Sequence, residues 1–319
     1  MMRLFVTGCL LSIAFISKAQ VIDNTFSYKH IYNKEGYVRF NYDNDYFTAR
    51  DRYYTQGLHL EIVSPALGRT FLKRLFPRFK DGYNKIGLAI EHDAYTPTSI
   101  QSNFIRYGDR PFAAALMLKP FSISTDNSKQ KLSASLSLGV LGPSAGGKEM
   151  QTGIHENTGN IIPKGWQYQV HNSPVVNYQL GYERLLFMAG NNFLINADAQ
   201  ARIGTLSNQV GIGGTIMAGL LESPFARNYA SKKLHLYFYY RPSVQFIAFD
   251  ATLQGGMFNN DSPYTIPASD ISRFTFSNRA GIAFNYKALS LEYFQVLMTK
   301  EFETGRLHRY GGIQIAVGF

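Results

Sequence analysis

Three groups of polar residues have the types and spacing that bond-breaking chemistry needs. The first is Asn41, Asp43, Asn44 and Asp45, followed by Asp51, Arg52, Tyr54, Thr55 and Gly57. Carboxylate, amide and hydroxyl oxygens this dense suit a hard cation such as calcium. They suit a capped hairpin equally well, because Asx side chains bond their own backbone in turns. An EF-hand loop does not fit, since the glycine at its sixth position and its closing glutamate are missing. The second group is Gly142-Pro143-Ser144-Ala145-Gly146-Gly147, then Glu149, Gln151 and His155. A helix from Gly147 to Glu156 would put Gln151 and His155 on one face. A histidine held that way is a candidate general base, although a lone loop histidine is often merely solvated. The third group, Arg106, Gly108, Asp109, Arg110, Pro111 and Phe112, reads as a salt-bridged loop or an anion grip. No zinc-finger spacing, P-loop or nucleic-acid module occurs. His59 and His92 fall within strands and are expected to face a lumen, while His171, His235 and His308 have no evident partner.

These groups need a frame. The chain has 319 residues, 45% of them hydrophobic and 14% aromatic, which excludes a disordered chain. No stretch beyond the N-terminus approaches the roughly 18 apolar residues of a spanning helix, so a helical membrane protein is excluded. A β-barrel is not excluded, because its strands alternate and average to ordinary hydropathy. Leu132, Ala134, Leu136, Leu138 and Val140 alternate with Ser133, Ser135, Ser137 and Gly139. Twelve such strands are expected, near 36–45, 55–64, 84–94, 112–124, 130–141, 173–187, 191–206, 209–220, 234–250, 271–287, 289–300 and 308–319. Bacterial single-chain barrels require an even number, and most of these segments are long enough to cross at a tilt. Tight turns at 126–128, 189–191 and 287–288 share one parity, the periplasmic one. The long excursions at 46–54, 95–111, 142–172, 251–269 and 301–307 share the other, so all three polar groups face outwards. Two long segments, 65–83 and 221–233, break the pattern. The first carries Leu67, Phe71, Leu72, Leu75 and Phe76 beside Arg69, Lys73, Arg74 and Arg78, and is expected to form a short basic amphipathic helix.

Residues 1–19 read as a signal peptide with Arg3 as its charged start and Ser17-Lys18-Ala19 as its cleavage site. The competing reading is a lipobox at Val6-Thr7-Gly8-Cys9. Cleavage after Ala19 leaves residues 20–319 as one domain without cysteine. Removing Arg3 and Lys18 lowers the formal charge from +10 to +8, which suits an anionic partner such as a lipid phosphate. A secreted β-sandwich is the alternative fold. Strand parity and the closing aromatic Phe319 favour an all-β transmembrane antiparallel barrel with a short helix in an outer loop.

Taken in order, the motifs resemble the LpxR family of outer-membrane lipid A 3′-O-deacylases. The matching pieces are Tyr42-Asp43-Asn44-Asp45-x-Phe47, Asp51-Arg52-x-Tyr54-Thr55-x-Gly57, Tyr95-x-Pro97 and Gly108-Asp109-Arg110-Pro111-Phe112. Gly142-Pro143-x-Ala145-Gly146-Gly147-x-Glu149-x-Gln151-x-x-x-His155 and Pro163-x-Gly165-Trp166-x-x-Gln169 follow. The likeness spans roughly residues 36–185 and beyond that is barrel patterning alone. It implies a calcium-dependent monomeric hydrolase that removes the 3′-acyloxyacyl group of lipid A in the outer membrane. Carried over, His155 is the base that activates water, Asn44 a donor to the oxyanion, and Asp45 and Thr55 the calcium-holding residues. Arg106, Arg110 and Lys148, with Lys164, are the expected grips on a lipid phosphate. Some members carry a glutamate six residues after the histidine, where this chain has Ile161; Glu149 and Glu156 are the nearby alternatives.

Two other functions fit parts of the pattern. An outer-membrane phospholipase usually needs a serine beside a strand histidine, and no such pair is evident. A porin or structural barrel would line its lumen with residues such as Arg39, Arg202 and Arg241, but has no need of Asn44, Asp45, Thr55 and His155 together.

Overall fold

In the strand Gln130–Leu141, Lys131, Ser133, Ser135 and Ser137 are buried, while Leu138 between them and the strand's end is 42% exposed. The same inversion holds in Tyr37–Asn44, where Arg39 is 1% exposed and its neighbour Phe40 43%. A protein surrounded by water buries the opposite set. A barrel whose outer face meets lipid requires this one. The β-sandwich is thereby excluded.

The computed structural model describes residues 24–32, 34–48, 53–226 and 234–319. The expected signal peptide, and Asp51 and Arg52 of the first polar group, lie outside the described residues. Twelve strands run β1 Tyr37–Asn44, β2 Tyr53–Val63, β3 Tyr83–Thr96, β4 Ala113–Thr125, β5 Gln130–Leu141 and β6 Ser173–Ala189. They continue with β7 Phe193–Gly204, β8 Ser207–Leu220, β9 His235–Asp250, β10 Phe274–Tyr286, β11 Leu289–Met298 and β12 His308–Gly318. Each pairs antiparallel with its sequence neighbours, and β12 returns to β1 to close the barrel. The seam register runs from Tyr37↔Gly318 to Asn44↔Gly311. Beyond it Gly36 and Phe319 exchange backbone hydrogen bonds of 3.2 and 2.8 Å. A Cβ on Gly36 would stand 2.5 Å from the Phe319 ring, so the aromatic residue is seated in the space a glycine leaves.

The lumen is filled. Residues Asn24–Tyr32 lie inside it, with the Ser27 amide and hydroxyl donating to Glu183 at 3.0 and 2.5 Å. Tyr28 stacks on Tyr239 at 4.2 Å, and Arg39 donates to the Lys29 carbonyl at 2.8 Å. Around this segment stand ion pairs: Arg39–Glu61 3.2 Å, Lys119–Glu91 3.0 Å, Lys131–Glu183 3.0 Å, Arg241–Asp198 2.6 Å and Arg279–Glu292 2.9 Å. Buried charges persist in this way only when paired.

Loop parity follows expectation, including the long helix-bearing connection after β5. That connection contains α1, Gly147–Thr158. The segment between β2 and β3 does not form the expected helix. It makes two 3-10 turns, Leu67–Arg69 and Phe71–Arg74, because Thr70 between them is extended (ψ 175°) and caps the second through Leu72 N at 3.3 Å.

Candidate active site

The third long outer loop, residues 142–172, does not stand free above the barrel. It folds down onto the outer wall. Gly142 starts the descent with φ 107°, donating its N–H to the Ala114 carbonyl at 2.8 Å. Gly147 opens α1 so close to the wall that a Cβ would lie 2.5 Å from Ala114 Cβ and 2.7 Å from Trp166. Only glycine permits that approach. Trp166 then packs with Ala145, Phe112 and Ile100 over Ala94 and Ala114, the small outward residues of β3 and β4. His92, also outward on β3, meets the Ala145 carbonyl through Nε2 at 3.0 Å. His59 faces the lumen as expected, bonded to Asp93 at 3.1 Å. His92 does not; its lone place on the apolar face was the signal that it is covered by protein.

On α1, Gln151 and His155 are the buried pair, one turn apart as the sequence spacing predicts. Trp166 Nε1 donates to Gln151 Oε1 at 2.7 Å, which ties the helix to the packed aromatic. His155 Nδ1 lies 2.5 Å from the Ile161 carbonyl oxygen. A carbonyl only accepts, so Nδ1 is the donor, and in the neutral ring Nε2 is the nitrogen that carries the lone pair. Ile161 therefore orients the imidazole through its main-chain oxygen, with no carboxylate needed at that position.

Beside this helix the wall is polar. The β2–β3 register slips between Tyr54 and Gln56, leaving Thr55 as the extra residue of a bulge. Tyr54 turns into the lumen, donating to Asp43 at 2.7 Å. Thr55 turns outwards, its hydroxyl 2.7 Å from that of Thr96. Bulges commonly re-aim a side chain at a functional site. Gln56 follows outward, paired across to Ala94, and Ala94 pairs with Ala114, so one row runs from β2 to the helix-covered wall. Asn44 ends β1 on the same outer face and donates to the Tyr42 hydroxyl at 3.1 Å. Asp45, buried, begins the next turn. Gln56 Nε2, Gln151 Nε2 and His92 Nδ1 are buried without a hydrogen-bond partner. Thr96, Gln56 and His92 are members of this surface that motif reading missed.

The residues expected from the sequence to hold a metal or polarise the ester offer oxygen donors: the Asp45 carboxylate, the Thr55 hydroxyl and the Asn44 amide oxygen. Such a set fits a hard cation and not a nitrogen- or sulfur-seeking one. It is weakly charged, and no group of three or more His, Cys, Asp or Glu comes together among the described residues.

The expected phosphate grips divide. Lys148 is exposed at the start of α1. Arg106 is partly exposed but bonded to Asp109 at 3.1 Å and Thr98 at 3.2 Å. Arg110 is turned inward, 2% exposed, in a close ion pair with Glu301, and it donates to Thr252 at 2.6 Å above the Tyr95 ring. Its charge is neutralised in the barrel mouth and is not presented to a lipid phosphate.

Residues 4–319 match the family described as outer membrane protein LpxR. The structure of LpxR from Salmonella typhimurium shares the fold at a TM-score of 0.73 and 20% identity, covering 89% of this chain and 100% of that one. The β domain of the Bordetella autotransporter BrkA (TM-score 0.48, 9% identity, 90% and 100% covered) and the KdgM porin (0.39, 8%, 89% and 99%) are more distant barrels. No curated protein sequence matches. With the match running over nearly the whole chain and the lipid-facing barrel closed, this protein belongs to the LpxR family of outer membrane proteins.

Proposed function

We propose that this protein hydrolyses the ester that joins the 3′-acyloxyacyl group to lipid A, with His155 as general base. The observation that carries the reading is His155 itself: tautomer set by the Ile161 carbonyl, buried against the outer wall beside unpaired polar groups. A site on the lipid side of the barrel is reached by lateral movement of a lipid, without entry into the lumen. His155 Nε2 takes a proton from water as the oxygen attacks the ester carbonyl carbon. The Asn44 side-chain amide is the donor to the developing oxyanion, a role in which one donor is worth about 10²–10³ in rate. As the C–O bond to the sugar breaks, the imidazolium returns the proton to the departing 3′-oxygen. Asp45 and Thr55 are the residues that would hold calcium, which when bound supplies Lewis-acid polarisation of the ester carbonyl. Water as nucleophile requires no covalent intermediate. Exposed Lys148 and the free edge of Arg106 are the cations left to meet a lipid A phosphate.

The porin reading loses support from the lumen, where residues 24–32 and the ion pairs occupy the bore, and Arg39 and Arg241 are both paired. Mass spectrometry of lipid A incubated with the refolded protein tests the assignment. Loss of the 3′-linked acyloxyacyl mass, with phospholipid left intact, is expected. Unchanged lipid A, or release of acyl chains from phospholipid, would overturn it.

A further inference from the structure

The segment between β2 and β3, residues 64–82, has no part in the hydrolytic site and lies at the opposite, periplasmic end. It leaves the barrel between two adjacent strands, yet it reaches past them along the wall. Phe76 is buried against Ala134 of β5 and Ile86 of β3, with Leu67 and Leu72 packed around it. Its ring stacks with Tyr178 of β6 at 6.3 Å, and the Tyr178 hydroxyl donates to the Leu75 carbonyl at 3.2 Å. Ala134, Leu136 and Tyr178 are outward residues, on the face that lipid wets. The segment therefore crosses the outside of the wall from β3 to β6, some three strand spacings, or roughly 14 Å. Ile86 and Ala134 stand three to four residues above the periplasmic rim, which at barrel tilt is roughly 10 Å, the depth of a headgroup layer.

What this leaves uncovered has a consistent character. Phe71 is 69% and Leu75 39% exposed, pointing away from the wall that Phe76 covers. Around them are Arg69, Lys73, Arg74, Arg78 and Lys80, opposed in the segment by Asp81 alone. None of the five cations makes an ion pair among the described residues. The apolar part is continuous with the lipid-facing wall, so a bilayer that wets the wall also reaches Phe71 and Leu75. Two apolar insertions ringed by unpaired cations are what an anionic interface selects.

We propose that residues 64–80 form an interfacial anchor that inserts Phe71 and Leu75 into the periplasmic leaflet and recruits anionic phospholipid through Arg69, Lys73, Arg74 and Arg78. The barrel would then carry a fixed annulus of phosphoglycerol headgroups on the β3–β6 side, under the site on the opposite leaflet.

The full chain, in a Cys9→Ser background with Gly68→Cys, where a side chain meets open space, carrying a fluorophore, is refolded into phosphatidylcholine vesicles. Headgroup spin-labelled phosphatidylglycerol or phosphatidylcholine is then added as quencher. Both should quench, with the anionic lipid preferred by about fivefold, the worth of one cation near an anionic surface. Replacing Arg69, Lys73, Arg74 and Arg78 with Gln should bring that preference close to one. Heat-modifiable migration of the folded barrel and lipid A hydrolysis should be unchanged in this variant. Equal quenching by both lipids in the unsubstituted segment overturns the recognition of anionic lipid. Quenching by neither overturns the anchor itself and points to a periplasmic protein as the occupant.

Discussion

The lumen and the outer wall beneath α1 are both buried and polar, but their polarity differs in kind. The lumen holds formal charges, and several of its cations are matched to carboxylates: Arg241 with Asp198, Arg279 with Glu292, Lys119 with Glu91. The outer cleft holds neutral groups, Gln56, Gln151, Thr55, Thr96, His92 and His155, with amide and imidazole nitrogens left unpaired. Matched charges hold a shape and resist change. Unmatched neutral donors carry a desolvation cost that a bound polar ligand can relieve. Structure is therefore maintained inside the barrel, and the capacity to bind lies outside it.

That division can be broken from either side. The largest effect is expected from Gly147→Val, whose side chain would be driven into Ala114 and Trp166. Lifting α1 by about 1 Å should lower lipid A hydrolysis at least about 10²-fold while the barrel keeps its heat-modifiable migration. Asn44→Ala should reduce kcat by about 10²–10³-fold with little change in stability, read from steady-state kinetics. The lumen should behave in reverse. Arg241→Met leaves Asp198 buried without its partner, a loss of about 3–5 kcal/mol measured as a lower urea midpoint, while hydrolysis by the folded protein is kept. A lumen variant that lost hydrolysis without losing stability would erase the distinction.

The smallest effect belongs to a periplasmic turn. Burial nudges the Asp126 carboxyl upward, but N–H groups of Gln130, Ser128 and Lys129 and the Gln130 amide outweigh it and hold it below the usual carboxylate range. Its folded value is depressed, so its contribution is present above the ordinary aspartate range and fades as pH falls through the folded value. Asp126→Asn should lower the unfolding midpoint slightly near neutrality, and the difference should shrink in acid.

Much of the frame was legible in period-two alternation because lipid and lumen impose opposite demands on successive residues. The β5 serines and leucines show it residue by residue. The helix and its buried pair followed from glycine placement and from the four-residue step between Gln151 and His155. What escaped depended on contacts distant in sequence. His92 was assigned to the lumen because alternation identifies the two faces but not the loop that returns to cover one of them. Arg110 looked like an anion grip because Glu301, its partner, is 191 residues away. Ile161 looked like a lost carboxylate because a sequence shows side chains, whereas the atom that matters there is a main-chain oxygen. Residues 65–83 had the composition of a helix, and extended Thr70 divided it.

The proposed reaction runs on the outer wall, with His155 as its base. The most direct test is the initial rate of acyloxyacyl release from lipid A by His155→Ala, with calcium present and the folded barrel verified by gel migration. A fall of about 10²–10⁴-fold is expected. A folded variant that hydrolyses lipid A at the unsubstituted rate would contradict it.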